Sequence, residues 1–196
     1  MLEEKWASVE DFATLFQYFW HRDFPMDQKS TGARRSDWTI HTGIVVRNIA
    51  DLMGYMARFE SGKRKDAVLR STEGDEIAIE WEWSGVFGKA NELEKLKKHK
   101  VRPKGKERLK YAVLITYTHT YNIDKVYERV LTEWKEAPWP LLLILIDVEE
   151  SKKFFSHKEF KKMQMSVFHK GKRIELRSAP AFPWEVAGTR WSYEMR

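Results

Sequence analysis

The run Lys65-Asp-Ala-Val-Leu-Arg70, then Ser71-Thr-Glu-Gly-Asp75, then Glu76-Ile-Ala-Ile-Glu80-Trp-Glu82-Trp83 decides the fold. Apolar and polar residues alternate through both flanks, the period of a half-buried strand, and the central cluster with its glycine is a turn signal. The spacing predicts strands over 65–70 and 76–83. Folded about Glu73, the hairpin sets Asp66 opposite Glu80, Arg64 opposite Glu82 and Arg70 opposite Glu76. All six project from one face, because side chains alternate along a strand. The other face carries Ala67, Leu69, Ile77, Ile79 and Trp81. A slip of one residue would exchange the faces and bury the charges, so this register is preferred.

Directly opposed residues have Cβ atoms roughly 5 Å apart, and like charges there repel. Asp66 and Glu80 therefore call for something positive between them, with Glu82 one step further on the same face. A hard cation such as Mg2+ takes one or two carboxylates, keeps waters and accepts substrate phosphates as its remaining ligands. Bound there, it would polarise a phosphodiester and lower the pKa of a ligating water. The competing interpretation is a solvated hairpin in which Arg64–Glu82 and Arg70–Glu76 are simple cross-strand ion pairs.

Outward from the hairpin, helical periodicity governs the N-terminal part. Ser8 can cap a helix carrying Phe12, Leu15, Phe16 and Phe19, residues 25–37 read as a polar loop, and a second helix is expected over about 39–59. On the C-terminal side the pattern predicts a helix over 90–99, a strand over 111–117, a helix over 124–135 and a fully buried strand over 141–148. In the tail, Ser156 with Glu159 three residues on suggests a short helix, and His169-Lys-Gly-Lys172 a hairpin. Strands alternating with helices imply an α/β fold, a mixed central sheet flanked by helices. With no linker-like stretch inside, 1–196 is expected to form one domain whose core is about 39–148, the N-terminal helix and the C-terminal helix and hairpin being additions.

The chain has 196 residues and no cysteine, which removes disulfide scaffolds, thiolate nucleophiles and cysteine-ligated metals. Nine Trp among 14% aromatic residues exclude wholesale disorder. The longest apolar run, Leu141–Ile146, is too short to span a bilayer, and the acidic start Met-Leu-Glu-Glu-Lys-Trp lacks the pattern of a signal peptide. A cytoplasmic protein without membrane contact is the expectation. The net charge is +6, with basic residues gathered between Lys95 and Lys110 and between Lys152 and Arg177. Such clustering is the footprint of a phosphate-backbone binder, or equally a solvated loop and helix face.

Lys63-Arg-Lys-Asp66-Ala-Val-Leu69 followed by Glu76-Ile-Ala-Ile-Glu80-Trp-Glu82 resembles the motif of the PD-(D/E)xK nuclease superfamily, which includes restriction endonucleases, junction resolvases and repair nucleases. The resemblance covers about 39–148. It implies a restriction-endonuclease-like core, Asp66 and Glu80 as metal ligands for Mg2+ (or Mn2+), and Glu82 as the third catalytic residue at the position usually held by lysine. Two departures stand out: the Glu82 substitution, and the scant room between Glu60 and Arg64 for the strand that usually precedes the Asp.

Further candidates surround this motif. His41 and Glu60 lie near the two ends of the expected second helix, where family members often add an acidic or polar residue. Asn91 and Lys95, four apart on the helix after the motif, could point at substrate phosphates. Arg34 and Arg35, with Lys97, Lys98 and Lys100, are the candidate nucleic-acid contacts. The function expected is metal-dependent hydrolysis of DNA, by a homodimer if both strands are cut. The alternative is a non-catalytic nucleic-acid-binding module that retains the nuclease fold, and a basic surface that meets an acidic protein partner also stays open.

Overall fold

A computed structural model describes residues 2–25, 35–61, 65–83, 91–100, 109–150 and 158–188. Two helices come first, α1 (Leu2–Arg22) and α2 (Arg35–Leu52). Strands β1 (Met56–Ser61), β2 (Lys65–Ser71) and β3 (Gly74–Glu82) follow, then α3 (Glu92–Lys97), β4 (Tyr111–His119), α4 (Ile123–Trp134) and β5 (Leu141–Glu150). The described chain closes with β6 (Lys158–His169) and β7 (Lys172–Pro180). The seven strands form one sheet in sequence order, parallel at β3–β4 and β4–β5 and antiparallel elsewhere.

Parallel neighbours need crossovers, and α3 and α4 lie within the two. Both helices pack on one face, where Leu93, Leu96, Val126, Val130 and Trp134 meet Ala78, Ala112, Leu114 and Leu143. On the other face α1 and α2 cover Ala67, Leu69, Ile77, Ile79, Val113 and Ile144 with Phe12, Phe16, Trp20, Val45 and Ile49. Covered on both sides, Leu141–Ile146 is wholly buried, as its unbroken apolar run requires. No helix among the described residues is long and apolar enough to cross a membrane.

The structure corrects the expected elements in three places. First, α2 stops at Leu52, not Phe59. Gly54 takes φ +73, Tyr55 N donates to Ala50 O (2.8 Å) and Gly54 N to Asp51 O (3.3 Å), so a Schellman cap ends the helix. The residues released by that cap form β1, the strand for which 60–64 had seemed too short. Second, residues 158–169 are a sheet strand, with Phe160, Met163, Met165 and Val167 buried, in place of the tail helix. Ser156 lies outside the described residues. The His169–Lys172 hairpin forms, with Lys170 (φ 49) and Gly171 (φ 72) in its turn, so 158–180 belongs to the sheet itself. Third, the β2–β3 register shifts between Leu69 and Arg70, so Arg70 pairs with Asp75 and not Glu76. Arg70 Nε lies 2.7 Å from Asp75 Oδ1, while Glu76 turns to Ser71 and Lys110.

Candidate functional site

Beyond the bulge the expected register holds, with Ala67 opposite Ile79 and Leu69 opposite Ile77, all four buried against α1 and α2. That commitment turns Asp66 and Glu80 to the opposite face. There β3 runs beside β4 and α3 packs above it, so the charged face is not a solvated one. Glu80 is 1% exposed. Trp81 N donates to Asp66 Oδ2 at 2.7 Å, fixing that carboxyl next to Glu80.

Helix α3 brings two further charges. Asn91 caps it by accepting from Glu94 N at 3.1 Å, and buried Leu93 and Leu96 anchor it to the sheet. Glu92 is thereby buried as well, at 4% exposure, and Lys95, one turn on, reaches back over the strands. Lys95 Nζ lies 2.9 and 2.7 Å from the two oxygens of Glu92 and 3.9 Å from Glu80 Oε2. The other oxygen of Glu80, Oε1, is buried and receives no amide, ammonium or hydroxyl hydrogen bond, while the carboxyl itself hydrogen-bonds that of Asp66.

Burial and crowding of like charges dominate the electrostatics. Burial, then the nearby Asp66 and Glu92, pushes Glu80 up to about 9 against the pull of Lys95. Burial also raises Asp66 to about 6, partly offset by the Trp81 N–H. Near neutral pH the pair therefore shares a proton, which belongs to both carboxyls together. The two carboxyls hold between them a proton that carboxyls do not ordinarily keep at this pH, with Lys95 the nearest cation among the described residues.

Glu60 adjoins this cluster. It stands beside Asp66 across the β1–β2 ladder, exposed, and its charge adds to the upward pressure on Asp66. Its φ of +50 is uncommon for a residue with a side chain, the kind of strain that gathers at functional sites.

The other candidates fall elsewhere. Glu82 sits at the end of β3, partly exposed, where its carbonyl accepts from Thr116 Oγ1 at 2.9 Å. Its expected partner Arg64 lies outside the described residues. His41 is not part of the site. It is buried on the far side of the sheet among Trp20, Phe24 and Trp38, its ring 4.6 Å from that of Trp20, and burial lowers it to about 4. Asn91 serves as the cap and Lys98 pairs with Glu94 at 2.7 Å. Lys97 donates to Glu133 O at 3.0 Å, tying α3 to α4, while Lys100 is exposed. Arg34 and the side chain of Arg35 lie outside the described residues.

Sequence reasoning missed Glu92. The signal was Leu93 and Leu96, whose burial forces Glu92 and Lys95 to flank them, but it becomes legible only once α3 is known to lie on the Glu80 face. Among the described residues no group of three or more His, Asp or Glu is placed to hold a metal ion. Mg2+ does not need such a group, since two carboxylates with waters and phosphate oxygens suffice. Comparison with protein-family models, with curated proteins and with solved structures finds no match.

Proposed function

We propose that the chain is a metal-dependent nuclease of the PD-(D/E)xK type that hydrolyses DNA phosphodiester bonds at the Asp66–Glu80 pair. The observation that carries the proposal is buried Glu80 crowded by Asp66 and Glu92, a cluster of three carboxyls with one lysine among the described residues. A structural ion-pair network would balance its charges, because an unpaired buried charge is strongly destabilising. Among the described residues this cluster leaves negative charge over, which suits a site completed by a divalent cation. The run of β1, β2 and β3, then α3, β4, α4 and β5, is compatible with the restriction-endonuclease-like core that the resemblance implies.

Asp66 and Glu80 would hold the cation, Mg2+ or Mn2+. When bound, it supplies a Lewis acid and an activated water. Lys95 does the work expected of the motif lysine, giving a positive charge within reach of Glu80 and of an incoming phosphate. Glu92 holds the ammonium in place.

The test is incubation with linear, circular, flapped and single-stranded DNA, with and without Mg2+ or Mn2+. Cleavage is expected only with metal, and Asp66→Ala and Glu80→Ala should abolish it while binding DNA as well as or better than the parent, since Asp66→Ala removes a negative charge near the phosphates and Glu80→Ala a carboxyl already protonated near neutral pH. Absence of cleavage on every substrate together with no heat of metal binding would refute the proposal. Glu82 at the usual lysine position favours the second reading, a non-catalytic DNA-binding module. Salt-dependent DNA binding unchanged by EDTA and by Asp66→Ala, with no cleavage of any substrate in Mg2+ or Mn2+, would select it.

A further inference from the structure

The face of the sheet that carries Asp66 and Glu80 also carries a cleft on the opposite side of the β1–β2 hairpin from Glu60. Gly54, Met56, Arg58, Arg70, Ser71 and Thr72 line a cavity of about 400 Å³. Arg58 faces Val68 across the ladder and Arg70 faces Met56, so strand alternation puts both guanidinium-bearing residues on the carboxylate face. Arg70 is tethered through Nε to Asp75. Arg58 is exposed, and among the described residues it has neither a hydrogen-bond nor an ion-pair partner. An arginine with no donor spent among the described residues, beside a second whose direction is fixed by a buried aspartate and beside the exposed Thr72 hydroxyl, is suited to a tetrahedral oxyanion, while the Ser71 hydroxyl is engaged by Glu76.

Spacing connects this cleft to the carboxylates. At roughly 3.4 Å per residue, Arg58 stands about 7 Å and Arg70 about 14 Å along the strands from the level of Asp66. Each strand of duplex DNA presents a phosphate about every 3.4 Å of helix axis, so a duplex lying along these strands would set the cleft about two to four phosphates from the bond at the carboxylates. We propose that the Arg58–Arg70 cleft seats a backbone phosphate of the DNA strand being cut, fixing the strand's direction across the site. This rests on the nuclease reading for its substrate, but not for its chemistry. Phosphate contacts position nucleic acid without reading sequence, so the cleft contributes register and not base specificity.

The experiment is duplex-DNA affinity of the full chain, measured in EDTA over a range of salt concentrations, for wild type, Arg58→Ala, Arg58→Lys and Arg47→Ala. Arg47 is also an exposed cation, on α2 across the sheet, where it pairs with Asp51 at 3.5 Å. Losing one phosphate contact should lower the slope of log K against log salt by about 0.9 and weaken binding roughly five- to tenfold at 0.1 M salt. Arg58→Ala should show this, Arg58→Lys should keep most of the slope, and Arg47→Ala should match wild type. In cleavage assays the Arg58→Ala loss should fall on KM. An unchanged slope in Arg58→Ala, or an equal drop in Arg47→Ala, overturns the subsite and leaves the nuclease reading standing. A folded wild type that binds no DNA overturns both. Slope loss in Arg58→Ala without cleavage by any variant keeps the subsite and removes the nuclease. Perturbation of Arg58 by inorganic phosphate but not by DNA would assign the cleft to a free anion and overturn the proposal as well.

Discussion

Glu80→Gln should make the metal-free protein more stable, and increasingly so as pH rises. Burial and the neighbouring Asp66 and Glu92 raise Glu80 from 4.5 to about 9. Between those values the folded chain keeps a proton that the unfolded chain releases, so stability falls with pH. The fall starts above the unfolded value, runs at about 1.4 kcal/mol per pH unit, and levels off above the folded value. At pH 7 the accumulated loss is about 3 kcal/mol. Gln has the same shape and does not titrate, and its amide can donate to Asp66 as the protonated Glu80 does. Because that amide still buries a polar group incompletely bonded, a net gain of about 1–3 kcal/mol at pH 7 is expected. Urea unfolding of both proteins at pH 5, 7 and 8.5, without metal, isolates Glu80 in the difference between the curves. The two should nearly coincide at pH 5 and diverge above it. Equal stability at all three pH values, or a less stable variant at pH 8.5, would refute the burial and crowding on which the site rests.

Three further outcomes follow from the same geometry. Binding of Mg2+ near pH 7 should expel about one proton, because the cation displaces the one shared by Asp66 and Glu80; calorimetry in buffers of different ionisation enthalpy reads this, and a heat independent of buffer would contradict it. Lys95→Met should lower kcat by about 10²-fold or more while tightening Mg2+, since the only cation close to Glu80 among the described residues is lost; an unimpaired kcat would remove Lys95 from the chemistry. Gly54→Ala meets no atom within 4 Å, so its cost is conformational alone, about 1–2 kcal/mol at φ +73, and Tm should drop by several degrees; an unchanged Tm would mean that the Schellman cap does not fix the end of α2.

The elements that could be read from sequence were those whose pattern has one physical solution. Alternation from Ala67 to Ile79 fixed both the hairpin and its faces, and the apolar run Leu141–Ile146 could only be a strand covered on both sides. Met56 and Phe59 misled because they continue the helical spacing of Ile49 and Met53, yet both are exposed, and the cap at Gly54, with hydrogen bonds donated by Gly54 N and Tyr55 N, outweighs a spacing that buries neither. Met163, Met165 and Val167 alternate as a strand should, but the lysines around them and a plausible cap at Ser156 hid the period. Within the site, Asp66 and Glu80 were legible because strand period alone opposes them. The bulge that gives Arg70 to Asp75 was not, because a register shift leaves no mark on alternation until the turn is built.

The exchange of Lys for Glu at position 82 bears differently on function once α3 is in place. What the chemistry requires is a positive charge near two carboxylates, not a particular strand to carry it. Lys95 meets that requirement from above the sheet, held by Glu92 at one end of its reach and by the docking of α3 behind it. A helix of six residues has little stability of its own, so its position depends on what grips its ends. Asn91 caps the start, and at the other end buried His99 lies 3.1 Å from Asp75, which also holds Arg70. The β2–β3 bulge, by turning Asp75 to both of them, therefore links the helix that carries Lys95 to the arginine that lines the proposed phosphate cleft. The two ends of the proposed DNA path are anchored to one aspartate, so on that proposal the spacing between scissile bond and distal phosphate would be set by the hairpin rather than by a loop.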